Sequence, residues 1–294
     1  IFLDQCVGMR WELATAQLFQ GFALGLLGRI RDLAGRYPLL LDEARDRSDL
    51  YAATSLRACL GFYVPLSRDE PAVAHAEVDD AMARWSVRGY HLQHVNALNS
   101  RTTIDLYLGD GVRALARCRE EWPALERSLL LRCQLLRVLM YSGRGRAAVS
   151  AFVQSGDAAC LREARRCARR LAREDVDYAR SERHTLEAAI ARGNGDLDAA
   201  RVQLDLALAA SERAELVLNN VAQRHAKGLL VGGDEGAALV AQALAFGREQ
   251  QLARPERHLN DVARREREPG RDGVAVSLVE TERDQHLDRA AALP

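Results

Sequence analysis

Short breaks that contain glycine or proline recur along the chain about every 40 residues, and apolar helical stretches flank each one. They lie at residues 28–29, 69–71, 109–111, 143–145, 193–196 and 232–234. A period of this length is typical of stacked helical hairpins. Because one hairpin cannot bury its own apolar face, neighbouring hairpins must share a core. The repeat therefore predicts an all-α fold, a right-handed superhelix of about six antiparallel hairpins with a long surface left free.

The apolar residues between the breaks follow the helical period. Leu129, Cys133, Leu136 and Met140 are spaced by 4, 3 and 4 residues, which places them on one face of a helix. Before residue 270 no segment alternates as a half-buried strand does. The pattern predicts helices over 10–27, 30–47, 50–64, 71–88, 91–108, 112–120, 124–141, 145–154, 158–173, 176–192, 197–210, 212–228 and 234–251.

Residues at the breaks carry the chemistry of helix ends. Asp110 and Asp196 each follow a glycine, so each is expected to cap the helix that begins after it. Ser67 and Glu70 have the spacing of a capping box, and Pro71 suits a first helical turn, where its missing N–H costs nothing. These local signals place helix boundaries at the breaks.

Composition excludes several classes of protein. The 41 basic side chains balance the 41 acidic ones, so the chain lacks the basic field that nucleic-acid binding normally uses. No apolar run reaches the roughly 18 residues of a membrane span, and the start lacks the features of a signal peptide. The six cysteines form no Cys-x-x-Cys pair and are expected to be small buried thiols. We therefore expect a cytoplasmic protein, and the lack of an initiator Met suggests a fragment or a processed chain.

Catalytic motifs are missing from the sequence. Lys227 is the only lysine, and it lies between Ala226 and Gly228 rather than in a Gly-Lys-Ser/Thr loop. The His-Arg-Asp and Asp-Phe-Gly segments of a protein kinase are absent, as are Gly-x-Ser-x-Gly and His-Glu-x-x-His. We expect no catalytic residue, no cofactor and no phosphoryl transfer in this chain.

Candidate binding residues belong to the first helices of the predicted hairpins, which line the inner surface of such arrays. Polar and basic side chains there can bond the backbone or carboxylate of an extended peptide. The candidate partner groove consists of Arg57, His91, Gln93, His94, Asn96, Asn99 and Arg132. His91 and His94 could present two imidazoles to a metal, but no third ligand is evident, so no metal is expected.

A row of arginines stands out between residues 162 and 173. Six of them fall on one face of a predicted helix, opposite Leu161, Ala164, Ala168 and Leu171: Arg162, Arg165, Arg166, Arg169, Arg170 and Arg173. Such a stripe could dock an acidic segment or phosphate groups. Glu163, Glu174, Asp175 and Asp177 are near enough in sequence to neutralise much of it, so a solvated face is the favoured interpretation.

Residues 1–254 are thus predicted to be one helical-repeat array. From Pro255 onward the sequence is charged and interrupted by Pro269, Gly270 and Gly273. We expect 255–294 to be a poorly ordered or loosely attached tail.

Several segments of the array resemble a known family. They are WELATAQ (11–17), RSDLYAATSLR (47–57), ARWSVRGYHLQH (83–94), IDLYLGDG (104–111), WPALERSLLL (122–131) and GGDEGAALVA (232–241). Together they resemble the C-terminal tetratricopeptide-like region of large bacterial serine/threonine protein kinases, over about residues 7–254. In that family a kinase domain precedes a helical array thought to sense or dock partners. No kinase motif is present here onto which a catalytic residue could be carried.

The resemblance implies a non-catalytic regulatory scaffold whose partners are proteins or peptides, including the kinase domain of the same polypeptide. Tetratricopeptide-like regions also follow nucleotide-binding modules. The alternative is therefore an effector-binding region of a signalling ATPase or transcriptional regulator. An enzyme with an all-α active site would need a convergent set of acid, base or nucleophile that the sequence does not contain.

Overall fold

The structure is a computed structural model that describes residues 9–259. Within this range every regular element is helical and no strand is present, which confirms the all-α prediction. The helices are α1 (Arg10–Leu26), α2 (Ile30–Asp46), α3 (Leu50–Leu60), α4 (Tyr63–Ser67), α5 (Pro71–Ala83), α6 (Leu92–Tyr107), α7 (Gly111–Arg127), α8 (Gln134–Ser155), α9 (Ala158–Leu171), α10 (Asp177–Gly193), α11 (Leu197–Arg213), α12 (Val217–Val231), α13 (Gly233–Glu249) and α14 (Pro255–His258). A short 3₁₀ turn, Leu130–Arg132, separates α7 from α8.

Helices pack against the helices that adjoin them in sequence. Some of them also pack against a helix of a neighbouring hairpin. Helix α3 contacts both α1 and α6, and α8 contacts both α6 and α10. Side-chain hydrogen bonds join α10 to α12 in the same way. We refer to α1, α3, α6, α8, α10 and α12 as the inner layer, because most of them line a shared cavity described below.

Hydrogen bonds within the inner layer connect residues about one repeat apart. Gln93 Nε2 donates to Ser55 Oγ at 3.0 Å across 38 residues of sequence. Gln223 Nε2 donates to Ser181 Oγ at 2.8 Å across 42 residues. Both glutamines are buried, so these bonds satisfy polar groups that water does not reach. The spacing of about 40 residues read from the sequence is therefore the spacing at which successive inner helices pair.

The predicted break at 143–145 is wrong. Helix α8 runs through both glycines without interruption. A Cβ at Gly145 would overlap Leu186 Cδ2 and lie 3.2 Å from Cys167 Cβ, so glycine here permits close packing of α8 on its neighbours. The chain instead turns between Ser128 and Cys133, where Leu129 has a left-handed φ of 62°.

The predicted separate helices 112–120 and 124–141 are also wrong. Helix α7 continues through Pro123 to Arg127, and α8 begins only at Gln134. Helix α5 also ends at Ala83, five residues before the predicted end at residue 88. The other predicted helices match the observed ones more closely, apart from the short separate helix α4 and the later start of α12 at Val217.

The helix caps are partly as predicted. Asp110 accepts a hydrogen bond from the backbone N–H of Arg113, and Asp196 accepts one from that of Ala199, each at 3.0 Å. The Ser67–Glu70 capping box is wrong, because Ser67 is the last residue of α4 and its hydroxyl donates to the carbonyl of Val64. Pro71 does begin α5, as expected.

Residues 252–259, which we call the closing segment, pack on helices near the start of the chain. The backbone N–H of Ala253 donates to the Ser67 carbonyl at 2.8 Å, and a ring nitrogen of His258 lies 2.9 Å from the Leu66 carbonyl. Arg257 donates to Asp69 Oδ1 at 2.9 Å. Helix α1 also contacts α12. The last described residues are therefore in contact with α4 and the turn that follows it, nearly 190 residues earlier in the chain.

The expected tail, 255–294, divides at this point. Residues 255–259 belong to the closing segment, where Leu259 is buried. Residues 260–294 lie outside the described residues, so the expectation for them stays a prediction.

Two expectations drawn from composition can be compared with the structure. Among the described helices, none is both long and apolar enough to cross a bilayer. Of the five cysteines within 9–259, Cys118, Cys160 and Cys167 are buried, Cys59 is half-buried and Cys133 is exposed. The expectation of buried thiols therefore fails at Cys133, which lies in the turn before α8 that the sequence did not reveal.

Candidate inner cavity

Two of the predicted groove residues are buried within the helix packing. Arg57 donates from Nε to Glu77 Oε1 at 2.7 Å, and its Nη2 lies 2.7 Å from Asp80 Oδ2. The guanidinium of Arg57 thus joins α3 to α5. Gln93 is 2% exposed and is held by Ser55. Neither side chain is therefore exposed to a partner groove.

His91 and His94 lie together at the start of α6. Trp85 Nε1 donates to His91 Nδ1 at 3.2 Å, and the His91 backbone N–H donates to His94 Nδ1 at 3.0 Å. Burial, with the nearby charges of His91 and Arg101, lowers the pKa of His94. The Nδ1 atom of each histidine ring therefore accepts a hydrogen bond within the protein. Among the described residues no three His, Cys, Asp or Glu side chains are grouped as metal ligands.

The remaining three groove residues differ in exposure and position. Asn96 is buried in α6, and Arg132 is exposed on the 3₁₀ turn. Asn99 alone lines the cavity that the inner helices surround. The seven predicted residues therefore do not form one surface, and Asn99 is the one that the structure places at a candidate site.

The inner cavity has two adjoining parts of about 180 and 400 Å³. Both parts are bounded by α1, α8, α10 and α12, and they share Phe22, Leu26, Leu139, Glu182 and Asn219. The smaller part extends to α4, α6 and the closing segment, and the larger one reaches Tyr178 and Leu216. The walls of the whole inner cavity are mainly apolar, with a few polar groups, which is the usual composition of a ligand site.

A cluster of three polar side chains lies on the cavity wall. Glu182 of α10 accepts a hydrogen bond from the hydroxyl of Ser142 on α8 and another from Asn219 Nδ2 on α12, the latter at 2.6 Å. Glu182 and Asn219 line both parts of the cavity. The cluster therefore places a carboxylate and an amide at the junction of three inner helices.

This cluster was not predicted, although the sequence contains a signal for it. Ser142 and Glu182 are 40 residues apart, and Glu182 and Asn219 are 37 apart, so all three occupy equivalent positions in successive repeats. Aligning the chain with itself at the repeat period would have placed the three side chains together.

The cluster has the chemistry of a binding site. Glu182 and Asn219 can accept and donate hydrogen bonds, and Leu139, Phe22 and Leu26 supply apolar contact area. Ser142 bonds directly to the carboxylate with no histidine between them, so the Ser-His-acid arrangement of a hydrolase is not formed here. Recognition is the chemistry that this arrangement supports.

The closing segment forms one wall of the smaller part through Leu252, Arg257 and His258. The His258 ring packs edge-on against Tyr107 with centroids 4.9 Å apart. Burial lowers the pKa of His258, and the Leu66 carbonyl and the charges of Asp69 and Glu256 offset only part of that effect. The segment is therefore held to α4 and α6 by neutral contacts as well as by the ion pair of Arg257 with Asp69.

Comparison with known proteins gives no match to a family model, to a curated protein or to a solved structure.

Proposed function

We propose that this chain is a non-catalytic protein-interaction scaffold, a right-handed superhelix of antiparallel helical hairpins whose inner cavity receives a segment of a protein partner. The observation that carries the proposal is the cavity itself, which five of the six inner helices line together. Inner surfaces built from helical repeats are extended and can accept a chain of several residues.

A short peptide suits the chemistry of the cavity wall. Asn99, Glu182 and Asn219 offer acceptors and donors that match backbone N–H and C=O groups. The apolar surfaces of Phe22 and Leu139 would receive the side chains that alternate between those backbone groups. Because Glu182 already bonds Asn219, a peptide would have to exchange with that bond, which favours selective over promiscuous binding.

We further propose that the scaffold is the cytoplasmic sensor or docking region of a bacterial serine/threonine protein kinase. The resemblance of residues 7–254 to such regions supports this assignment. The kinase domain of the same polypeptide is then a candidate partner. Coding sequence upstream of Ile1 tests the assignment, since His-Arg-Asp and Asp-Phe-Gly segments would support it and a Gly-Lys-Ser/Thr loop would contradict it.

The peptide proposal is tested by filling the cavity. Peptides are selected from a random display library on the full chain and then measured against Leu139→Trp, which places an indole in the cavity. The matched control is Leu206→Trp on α11, where the leucine is exposed and outside the cavity. We expect selected peptides to bind the control as they bind the original chain and to lose at least about tenfold in affinity for Leu139→Trp.

Circular dichroism and thermal unfolding establish that both variants are folded before affinities are compared. Peptides that bind Leu139→Trp and the original chain equally would contradict binding in the cavity. Hydrolysis of phosphate or acyl esters by the purified chain would contradict the non-catalytic assignment.

One observation favours a second candidate, the effector-binding region of a signalling ATPase or transcriptional regulator. The closing segment walls one side of the cavity, and a part of about 400 Å³ falls within the size range of small-molecule sites. A thermal-shift screen with a metabolite library separates the two functions. Stabilisation by a small molecule that Leu139→Trp abolishes and Leu206→Trp keeps, without any selected peptide, would favour the effector.

A further inference from the structure

The arginine stripe of α9 is exposed along its whole length. The stripe comprises Arg162, Arg165, Arg166, Arg169, Arg170 and Arg173, each of them exposed. The opposite face of α9 is buried through residues such as Leu161, Ala164 and Leu171. From Arg162 to Arg170 the stripe extends about 12 Å along the helix axis, and Arg173 lies in the turn that follows α9. It is therefore a short ridge of positive charge on the surface away from the inner cavity.

The carboxylates that were expected to neutralise the stripe are bound elsewhere. Glu163 is buried and pairs with Arg119 and Arg144. Glu174 pairs with Arg137 at 2.6 Å.

The next two carboxylates along the chain are also taken. Asp175 pairs with Arg180, and Asp177 pairs with Arg180 and Arg213. Among the described residues, no carboxylate lies within 4.0 Å of any guanidinium of the stripe. The four carboxylates therefore form their ion pairs with other arginines, and the stripe forms none within residues 9–259.

A groove runs beside the stripe. It has a volume of about 470 Å³ and lies between α9, α10 and α11, with Arg165 and Arg169 on one edge. Its floor includes Ala168, Ile190 and Ala191, which are apolar. Two carboxylates also line the groove: Glu187 lies near Arg183 and His184, and Asp196 caps α11. The Arg165 guanidinium is held at this edge by a hydrogen bond to Asn194 Oδ1 at 3.0 Å. Positive charge and apolar floor are thus adjacent on one surface.

We propose that this stripe and groove form a docking surface for a short acidic peptide of a protein partner, separate from the inner cavity. Arginine pairs with carboxylates through two parallel hydrogen bonds, and residues three or four apart on α9 present guanidinium groups at about the spacing of acidic side chains on a facing peptide. The groove floor would receive an apolar side chain between the acidic ones. This surface goes beyond the cavity proposed above and does not depend on it.

Charge on either side of the stripe favours a short peptide over nucleic acid. Asp157 precedes α9 and the exposed Asp175, although paired with Arg180, follows it, so a polyanion much longer than the ridge would extend onto carboxylates. The balanced total of 41 basic and 41 acidic side chains provides no wide positive field for a duplex. No aromatic ring lies within the stripe to stack bases, and Tyr141 beside it is covered by Arg170 at 5.9 Å.

The test uses the full chain and a fluorescein-labelled peptide of twelve residues that alternates pairs of glutamates with leucine. Its variant is the triple substitution Arg162→Gln, Arg166→Gln and Arg169→Gln. The matched control is Arg31→Gln, Arg36→Gln and Arg248→Gln, which removes the same charge from exposed positions elsewhere. Fluorescence anisotropy at low and at physiological salt measures binding, and thermal unfolding confirms that both variants are folded.

We expect the stripe variant to lose about tenfold in affinity and the control to change less than about twofold, because three exposed charge pairs are lost only in the first. Higher salt should weaken binding, and a peptide with glutamine in place of glutamate should not bind. No binding up to millimolar peptide, an equal loss in both variants, or tighter binding of a twelve-base-pair DNA duplex would overturn the proposal. Leu139→Trp should leave the affinity unchanged, so failure here is distinct from failure of the cavity proposal.

Discussion

Replacing Asp105 by asparagine should destabilise the protein strongly without changing its shape. Asp105 lies on α6, is 0% exposed, and is approached by three cationic or hydrogen-bonding groups from neighbouring helices. His75 Nε2 of α5 lies 3.0 Å from Oδ1, Arg117 Nε of α7 lies 3.2 Å from Oδ2, and Arg113 also pairs with Oδ1. This carboxylate therefore holds three helices together through one buried group.

The expected loss follows from these contacts. Breaking a buried ion pair costs about 3–5 kcal/mol when the remaining charge stays buried. Arg113 and Arg117 are 46% and 26% exposed, so part of their charge is still solvated and we expect about 3 kcal/mol. Asparagine has nearly the same volume as aspartate, so no cavity term is added. For a unit of this size the loss corresponds to a fall in Tm of about 6–12 °C.

Thermal unfolding followed by circular dichroism measures this fall, and Asp205→Asn is the matched control. Asp205 is 53% exposed and pairs with Lys227 at 2.6 Å, so its replacement should cost less than about 1 kcal/mol. Equal effects of the two substitutions would refute the reasoning, as would a loss below about 1 kcal/mol for Asp105→Asn.

The pH dependence gives a second check on the same group. Burial alone would raise the pKa of Asp105, but the hydrogen bond from His75 and the charges of Arg117 and Arg113 outweigh burial and hold that pKa below its ordinary value. A carboxyl group with a lowered pKa stabilises the fold above its unfolded pKa of about 3.9, and this stabilisation is lost as pH falls through the lowered folded value. The difference between Asp105 and its asparagine variant should be full at neutral pH and decrease below about pH 4.

Two further predictions concern glycine and cysteine. Gly143→Ala should stabilise by about 0.5–1 kcal/mol, because the new Cβ would meet only an amide oxygen at 3.9 Å. Gly145→Ala should lower the free energy of unfolding by about 1–2 kcal/mol, because its Cβ would overlap Leu186. Thermal unfolding shows whether the two substitutions change stability in opposite directions. Iodoacetamide at pH 8 should modify exposed Cys133 quickly, whereas Cys118, whose pKa burial raises to about 11, should react only on unfolding. Peptide mapping by mass spectrometry measures the modification of each thiol, and equal modification rates at Cys133 and Cys118 would contradict the burial of Cys118.

The parts of the fold that could be predicted from the sequence depend on local chemistry. Asp110 and Asp196 cap helices within three residues of themselves, so spacing alone locates them. The continuity of α8 could not be predicted in this way, because Gly145 is explained by Leu186 on another helix. Leu129 adopts a left-handed φ that its residue type does not signal, so the real turn was missed.

The candidate site was less predictable, because side-chain partners depend on tertiary register. Arg57 has the residue type of a groove contact, but Glu77, 20 residues further along the chain, binds it inside the packing. Glu182 is unremarkable in its own helix and gains its role from Ser142 and Asn219 in the adjacent repeats. The arginine stripe could be recognised in the sequence. Its lack of ion pairs could not be predicted, because it depends on which arginines the neighbouring carboxylates bind in the folded chain.

The closing segment gives the described chain a folding property that a purely linear repeat lacks. In a linear array each repeat meets only its neighbours, so the ends can fray independently of each other. Here His258 meets Leu66 across 192 residues, and Arg257 meets Asp69 across 188. Forming such a contact costs about 1.4 kcal/mol more loop-closure entropy than a contact between adjacent repeats. Once formed, it couples the opening of α4 to that of α14, so these two helices gain or lose protection against hydrogen exchange together.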